Sequence, residues 1–397
     1  MAQSIKSEQA NGAGSGSHHI VSAHSDTMSG DRRFMKMALH LGVRGLGQVM
    51  PNPAVGCVIV RDGLVVGRGW TAPGGRPHGE TEALARAGEA AQGATAYVSL
   101  EPCAHEGRTG ACARALIDAG IRRVVGTCDD PDPRVSGQGY KMLEAAGVEV
   151  TTGVMAREAE RLNGGFFSRV LRGRPYIILK LAASMDGRVA THTGGSRWIT
   201  GPVSRTRGHM MRAQADAIMV GGTTAMMDNP DLKCRLPGLE ERSPIRIVAD
   251  GRLRLPLTSR LVRSAHEVPV WILTRKDCDA GRRAAFEDCG VTILPVPVTG
   301  ESLMNMEEAM KILGGRGITR LLVEGGGYLA ASLLIEKLVD RLVWFHGARL
   351  IGGDGVPALR PFGVDRLAMA PSLELLSSVG LDDDRMTSWL VHYEHEK

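Results

Sequence analysis

The sequence predicts two α/β domains in tandem, and three observations predict it. The chain has 397 residues, where an ordinary domain takes roughly 150. Short β-rich runs alternate with runs of helical period, and a charged, glycine-containing stretch near the middle interrupts them. Only 4% of residues are aromatic although 43% are hydrophobic, so the cores must be built from Val, Leu, Ile, Ala and Met. Glycine is also abundant, at 51 residues, well above the average usage of about 7%.

Residues 1–30 are rich in Gly, Ser, Ala and His without an apolar period, and are expected to form a disordered tail in which His18, His19 and His24 are solvated. Order is expected from Asp31, where Phe34, Met37, Ala38 and Leu41 have helical spacing. Residues 54–60 and 64–70 are β-rich and flank Arg61-Asp62-Gly63, a hairpin signature. Helices are expected over 81–88, 112–119 and 140–146, and strands over 94–100, 122–127 and 148–152. This first domain spans 31–150. Residues 151–174, helical and charged and then basic, read as a linker. The second domain, 175–397, is expected to place strands at 176–182, 217–220, 245–249, 268–273, 321–323 and 342–345, with helices between most of them.

Composition excludes several function classes. The net charge of +5, from 48 basic and 43 acidic residues, comes without a basic run, which argues against a nucleic-acid binder and leaves a phosphorylated small molecule compatible. No apolar stretch reaches the roughly 18 residues of a membrane span. Seven cysteines, an odd number scattered over a long chain, suit a reducing cytoplasm rather than a disulfide framework.

The sharpest chemical signal is Pro77-His78-Gly79-Glu80, followed by Glu101-Pro102-Cys103-Ala104-His105 and then Cys112. His78, Cys103 and Cys112 are ligands suited to zinc, and three protein ligands leave a fourth position for water, as in a catalytic site. Glu80, two residues beyond the histidine, is placed to take a proton from that water and pass it to a leaving amine. The His-x-Glu and Pro-Cys elements match the zinc deaminase signature, except that eight residues rather than two separate the cysteines. A structural zinc site and a nucleic-acid deaminase are the alternatives. The first has no use for Glu80, and the second calls for a basic groove and the shorter cysteine spacing. In the second domain, Val323-Glu324-Gly325-Gly326-Gly327 joins a strand to a helix, and Gly221-Gly222-Thr223-Thr224 follows another strand. Such turns let backbone N–H groups approach an anion, though a strand-to-helix turn is often only a turn.

Several longer motifs carry a resemblance. They are residues 52–56 (Asn-Pro-Ala-Val-Gly), 78–80, 102–112, 130–133 (Asp-Pro-Asp-Pro), 180–187, 196–200 and 323–327. Together they resemble the bifunctional riboflavin-biosynthesis deaminase/reductase family from residue 31 to the C-terminus. Two departures stand out: Thr109-Gly110-Ala111-Cys112 replaces the usual Thr-Pro-Pro-Cys, and Asp132 replaces an asparagine. The resemblance implies an N-terminal cytidine-deaminase-like α/β/α three-layer domain and a C-terminal dihydrofolate-reductase-like α/β domain. It implies hydrolytic deamination of a diaminopyrimidinone ribosyl phosphate with one Zn²⁺, then NADPH-dependent reduction of the ribosyl group to ribityl. Asn52 and His105 would hold the pyrimidine. Ala182, Trp198, Thr224, Asp228 and the run Gly326, Gly327, Tyr328, Leu329, Ala330, Ala331 and Ser332 would contact NADPH. Ser196, Arg212, Leu232, Arg235 and Glu324 would hold the reductase substrate, with Arg212 and Arg235 as phosphate partners. Lys180 and Glu324 would handle the proton. A homodimer is implied, with neither nucleic acid nor membrane as partner.

Overall fold

A computed structural model describes residues 18–104, 110–300 and 303–393, with side chains from Ser29 onward. The first sheet is built from β1 (Gly56–Arg61), β2 (Leu64–Trp70), β3 (Thr95–Val98), β4 (Arg123–Gly126) and β5 (Glu149–Thr151), in the order β2-β1-β3-β4-β5. The expected hairpin forms, and β1 also runs antiparallel to β3, whereas β3, β4 and β5 are parallel. Helices α1 (His18–Gly42), α2 (Gly79–Ala87), α3 (Cys112–Asp118) and α4 (Gln138–Ala145) surround it. Successive β1 residues point to opposite faces: Cys57 and Ile59 enter one cluster with α3 and α4, while Val58 and Val60 enter the other with α1. Helix α1 begins at His18, inside the stretch read as a tail. Extending a helix already nucleated by the packed residues from Asp31 adds a hydrogen bond per residue, so it requires no apolar period in the sequence.

Two short helices, α5 (Ala156–Leu162) and α6 (Gly164–Arg172), follow. The presumed linker is therefore a packed joint. Asn163 is buried and its side-chain carbonyl accepts from Ala54 N at 2.8 Å. Gly165 lies against the Thr319 backbone, where a Cβ would come within 2.8 Å of the carbonyl oxygen.

The second sheet has nine strands in the order β11-β10-β9-β8-β12-β6-β13-β16-β15. They are β6 (Tyr176–Ser184), β8 (Ala217–Gly221), β9 (Ile245–Ala249), β10 (Val270–Arg275), β11 (Thr292–Val296), β12 (Arg320–Glu324), β13 (Arg341–Gly347), β15 (Ser372–Leu381) and β16 (Asp384–His392). A two-residue β14 (Val356–Pro357) pairs with β7 (Arg188–Ala190) outside this sheet. The strands from β11 through β13 are parallel, and β16 and β15 close that end antiparallel. The helices are α7 (Pro202–Ala213), α8 (Gly222–Asp228), α9 (Arg260–Arg263), α10 (Ala280–Asp288), α11 (Met306–Gly315) and α12 (Gly327–Ile335). Ile177, Leu179, Leu321 and Val323 pack on one face, and Ile178, Leu322 and Val343 on the other. Burial on both faces explains why these strands read as nearly continuous apolar runs.

Candidate active sites

The first site lies where β3 hands the chain to α3 and where α2 begins. His78 is the residue before α2, and Cys112 is the first residue of α3. His78 Nδ1 lies 3.2 Å from Cys112 Sγ and 3.6 Å from Cys103 Sγ. Ligand atoms about 2.1 and 2.3 Å from a tetrahedral zinc would be about 3.6 Å apart, so the three residues fit that metal. Their ligand atoms all lie within 4.8 Å of one another, and among the described residues this is the one such group. The backbone N–H of Cys112 donates to Cys103 Sγ at 3.3 Å, which orients the sulfur. The Cys112 side chain and then the His78 ring favour the Cys103 thiolate against the cost of burial, pulling its pKa down to about 4. The neighbouring thiolate and burial push Cys112 the other way.

Glu80 is buried, and among the described residues its Oε2 has no hydrogen-bond partner. Burial raises its pKa to about 7, opposed by His78. A buried carboxyl with one oxygen unspent beside a ligand trio is poised for proton transfer. These groups open into a cavity of about 710 Å³ whose walls include Asn52, Arg76, Asp132 and Arg169.

The sequence reading missed Glu101. Its carboxylate accepts from the backbone N–H groups of Asp130 and Gly137, at 2.9 and 2.8 Å, and of Gly139, at 2.8 Å. It ties the loop carrying Asp130 and Asp132 to the residue two before Cys103. These bonds span 29 to 38 residues, and no local spacing advertises them. The departure at Asp132 is absorbed locally, because its carboxylate pairs with Arg134 at 2.5 Å and accepts from the Arg134 N–H. His105 lies outside the described residues, so the site is described without it.

The second site is a cavity of about 1140 Å³ at the carboxyl ends of β6, β8, β9 and β12. Open α/β sheets bind ligands in this position. Gly221 and Gly326 precede α8 and α12, so two helix N-termini face the same space. Gly325 and Gly326 have φ of +78° and +89°, backbone that glycine adopts without strain.

Lys180, Ala182, Ser196, Arg212, Thr224, Asp228, Leu232 and Glu324 all line this cavity, as do Gly326, Gly327, Tyr328, Leu329 and Ser332. Four expected contacts do not. Ala330 and Ala331 are buried within α12, on the helix face turned from the cleft. Trp198 is 60% exposed and stacks under Arg205, with the guanidinium carbon 4.4 Å from its ring centre. Arg235 is exposed near Asp231, at 3.9 Å.

Arg212 has a different partner from the phosphate expected for it. Its Nε and Nη2 donate to the two Glu324 oxygens at 2.9 and 2.8 Å, and its Nη1 donates to Lys233 O. A planar fork matched to a carboxylate holds Glu324 in one orientation. Lys180 Nζ lies 4.0 Å from Glu324 Oε2. Burial raises the Glu324 pKa, but Arg212 and Lys180 outweigh it and hold the carboxyl at about 2. His209, another residue the sequence did not single out, is kept neutral near pH 7. Burial, then Arg212 and Arg235, lower its pKa to about 4.

Comparison with known proteins bears on both domains. Residues 28–128 match the family model of the cytidine and deoxycytidylate deaminase zinc-binding region, and residues 175–386 match that of the RibD C-terminal domain. The riboflavin biosynthesis protein RibD of Haemophilus influenzae is 40% identical over 373 residues, covering 90% of this chain and 97% of its own. This chain belongs to the RibD family. Its Escherichia coli relative is 41% identical over 356 residues, 87% of this chain and 95% of its own. The RibD structure from Acinetobacter baumannii superposes with a TM-score of 0.81 at 35% identity, covering 92% of this chain and 99% of that one. The Thermotoga maritima diaminohydroxyphosphoribosylaminopyrimidine deaminase/5-amino-6-(5-phosphoribosylamino)uracil reductase gives 0.79 at 30% identity with the same coverage. Like the rest of the RibD family, this chain is a bifunctional deaminase and reductase of riboflavin biosynthesis, and the expected pairing of folds is present.

Proposed function

We propose that the first site deaminates a 2,5-diamino-6-(5-phosphoribosylamino)pyrimidin-4-one with one zinc ion. The second would then reduce the ribosyl group to ribityl with NADPH, giving 5-amino-6-(5-phosphoribitylamino)uracil. The observation that carries this reading is the ligand trio beside a buried carboxyl with one unspent oxygen. His78, Cys103 and Cys112 would hold the zinc, which supplies Lewis-acid activation of water when bound. Glu80 Oε2 takes the proton and returns it to the departing amine, a role suited to a buried carboxyl beside the trio with one unspent oxygen. Asn52, with His105, orients the pyrimidine, and Arg76 and Arg169 on the cavity wall complement its phosphate.

In the second cleft NADPH would supply hydride when bound, its phosphates meeting the turns at Gly221 and Gly326. Glu324 stays ionised and therefore donates no proton. Lys180, which carries donor hydrogens beside it, delivers the proton, and Arg212 fixes Glu324 while Ser196 and Leu232, which line the cleft, complete the substrate side. The division of labour falls at residues 150 and 175, with the intervening helices as the joint. All seven cysteines are free, which supports a cytoplasmic setting. No helix among the described residues is long and apolar enough to cross a membrane. The exposed Leu373 and Leu375 on the edge strand β15 support a homodimer. The test is direct: supplied with the diaminopyrimidinone ribosyl phosphate and NADPH, the zinc-loaded protein releases ammonia and then oxidises NADPH. Absence of either product refutes the corresponding half.

A further inference from the structure

A third cavity, of about 930 Å³, opens between the two sheets and belongs to neither site described above. Its walls come from both halves of the chain: α1 and α5 on one side, and α7, β6, β12, β13 and β16 on the other. Among the described residues, seven arginine and lysine side chains line it against a single acidic residue, Glu158. Arg32, Arg33 and Lys36 come from α1, Arg161 from α5 and Arg207 from α7, while Arg320 and Arg341 rise from the sheet. Beneath them lies an apolar floor that includes Leu39, Leu162, Ile178, Leu322 and Val343.

The charges have little to neutralise them within the chain. Among the described residues Arg32, Lys36 and Arg207 form no ion pair, and Arg161 meets Glu374 only at 3.4 Å on the exposed side. Arg320 is buried, and its guanidinium donates to the Leu162 carbonyl at 2.7 Å. The nearby Asp216 carboxylate is committed to Thr319 and to the Arg320 backbone N–H. Arg341 donates to Ser388 Oγ at 2.7 Å, a neutral partner. Burial depresses both guanidinium groups; Tyr176 and Asp216 offset this only in part at Arg320, and at Arg341 Tyr176 opposes it while Arg320, Arg207 and Arg161 depress it further. Concentrating cations around a partly dry cavity is unfavourable unless an anion shares it.

We propose that this junction cavity is a binding site for a small organic anion, a phosphate ester whose apolar body rests on the floor while its charged group meets the arginines. The volume suits a metabolite. An occupant would touch both domains and would press on Met211, the neighbour in α7 of the Arg212 that holds Glu324. It is thus placed to couple the domains.

The test uses 1-naphthyl phosphate as the probe and neutral 1-naphthol as its control, titrated calorimetrically into the full-length, zinc-loaded protein saturated with NADPH. The phosphate is expected to bind at least tenfold more tightly than the naphthol, and inorganic phosphate to displace it. The triple variant R32Q/K36Q/R207Q is expected to weaken binding at least tenfold while keeping NADPH affinity, which also reports that it is folded. Arg207→Gln alone serves should the triple variant lose its fold. Equal affinity for phosphate and naphthol, binding unchanged in the variants, or no binding once NADPH saturates its cleft would each overturn the proposal.

Discussion

Glu80 is buried and Glu324 nearly so, its side chain 12% exposed, yet their surroundings drive them to opposite ends of the carboxylate range. Among the described residues Glu80 has no cationic partner at bonding distance, and burial raises it to about 7, while Glu324 is gripped by Arg212 and falls to about 2. The second shift fixes a sign. A folded-state pKa below the ordinary 4.5 means that the pair's stabilisation is complete above pH 4.5 and is lost as pH falls through 2. The shift corresponds to on the order of 3 kcal/mol. Glu324→Gln should therefore be less stable than the parent near pH 7, with the gap narrowing as denaturant midpoints are followed down to pH 3; a constant gap would contradict the pairing. At the metal, Cys103→Ala and Cys112→Ala should each lower bound zinc at least tenfold, measured by elemental analysis after dialysis against a chelator. Full zinc in both would show that the ligand set is wrong. His78, Glu80, Cys103 and Cys112 were legible in the sequence because each sits within a recognisable motif, three of them at a helix start and Cys103 in the loop that leads from β3 to α3. Glu101 and the Arg212–Glu324 pair were not. The latter joins residues 112 positions apart, and an arginine's partner is decided by packing that no local window contains.

At the scale of elements, the ligand trio depends on α4 lying close under the turn that carries Cys103. A Cβ on Gly139 would come within 1.9 Å of the Pro102 carbonyl oxygen, next to Cys103. Gly139→Ala should therefore cost roughly 2 kcal/mol or more, and it should also weaken zinc binding, because relief requires moving the turn. A variant with lower thermal stability but unaltered zinc affinity would uncouple the two. The elements the sequence reading omitted have physical reasons for being faint. Strand β11 contains Pro295, a residue that argues against a central strand; the structure places it at the sheet edge, where proline is tolerated. The hairpin of β15 and β16 turns at Asp382-Asp383 rather than at an Asn-Gly or Asp-Gly pair, and most of β15 is exposed, so neither turn nor alternation announces it. Helices α5 and α6 read as a linker because their charges and glycines resemble one. Gly165 instead lets α6 approach the Thr319 backbone.

Over the whole molecule, the two α/β domains were evident from alternating strand and helix patterns and their order of function from the family resemblance, whereas the charge distribution was not. A net charge of +5 without a basic run gave no sign that Arg32, Arg161, Arg207, Arg320 and Arg341 converge on one junction. Folding brings together what is scattered across about 300 residues. The same architecture separates the catalytic steps, since the ligand trio and the reductase cleft belong to different sheets. The most direct test of that account is Glu80→Gln assayed for both products, ammonia from the diaminopyrimidinone ribosyl phosphate and NADPH oxidation on substrate already deaminated. Zinc retained, ammonia release lowered at least a hundredfold and reductase turnover within twofold of the parent is the predicted result. Deamination near the parental rate, or loss of both activities in a folded protein that still binds NADPH, would contradict it.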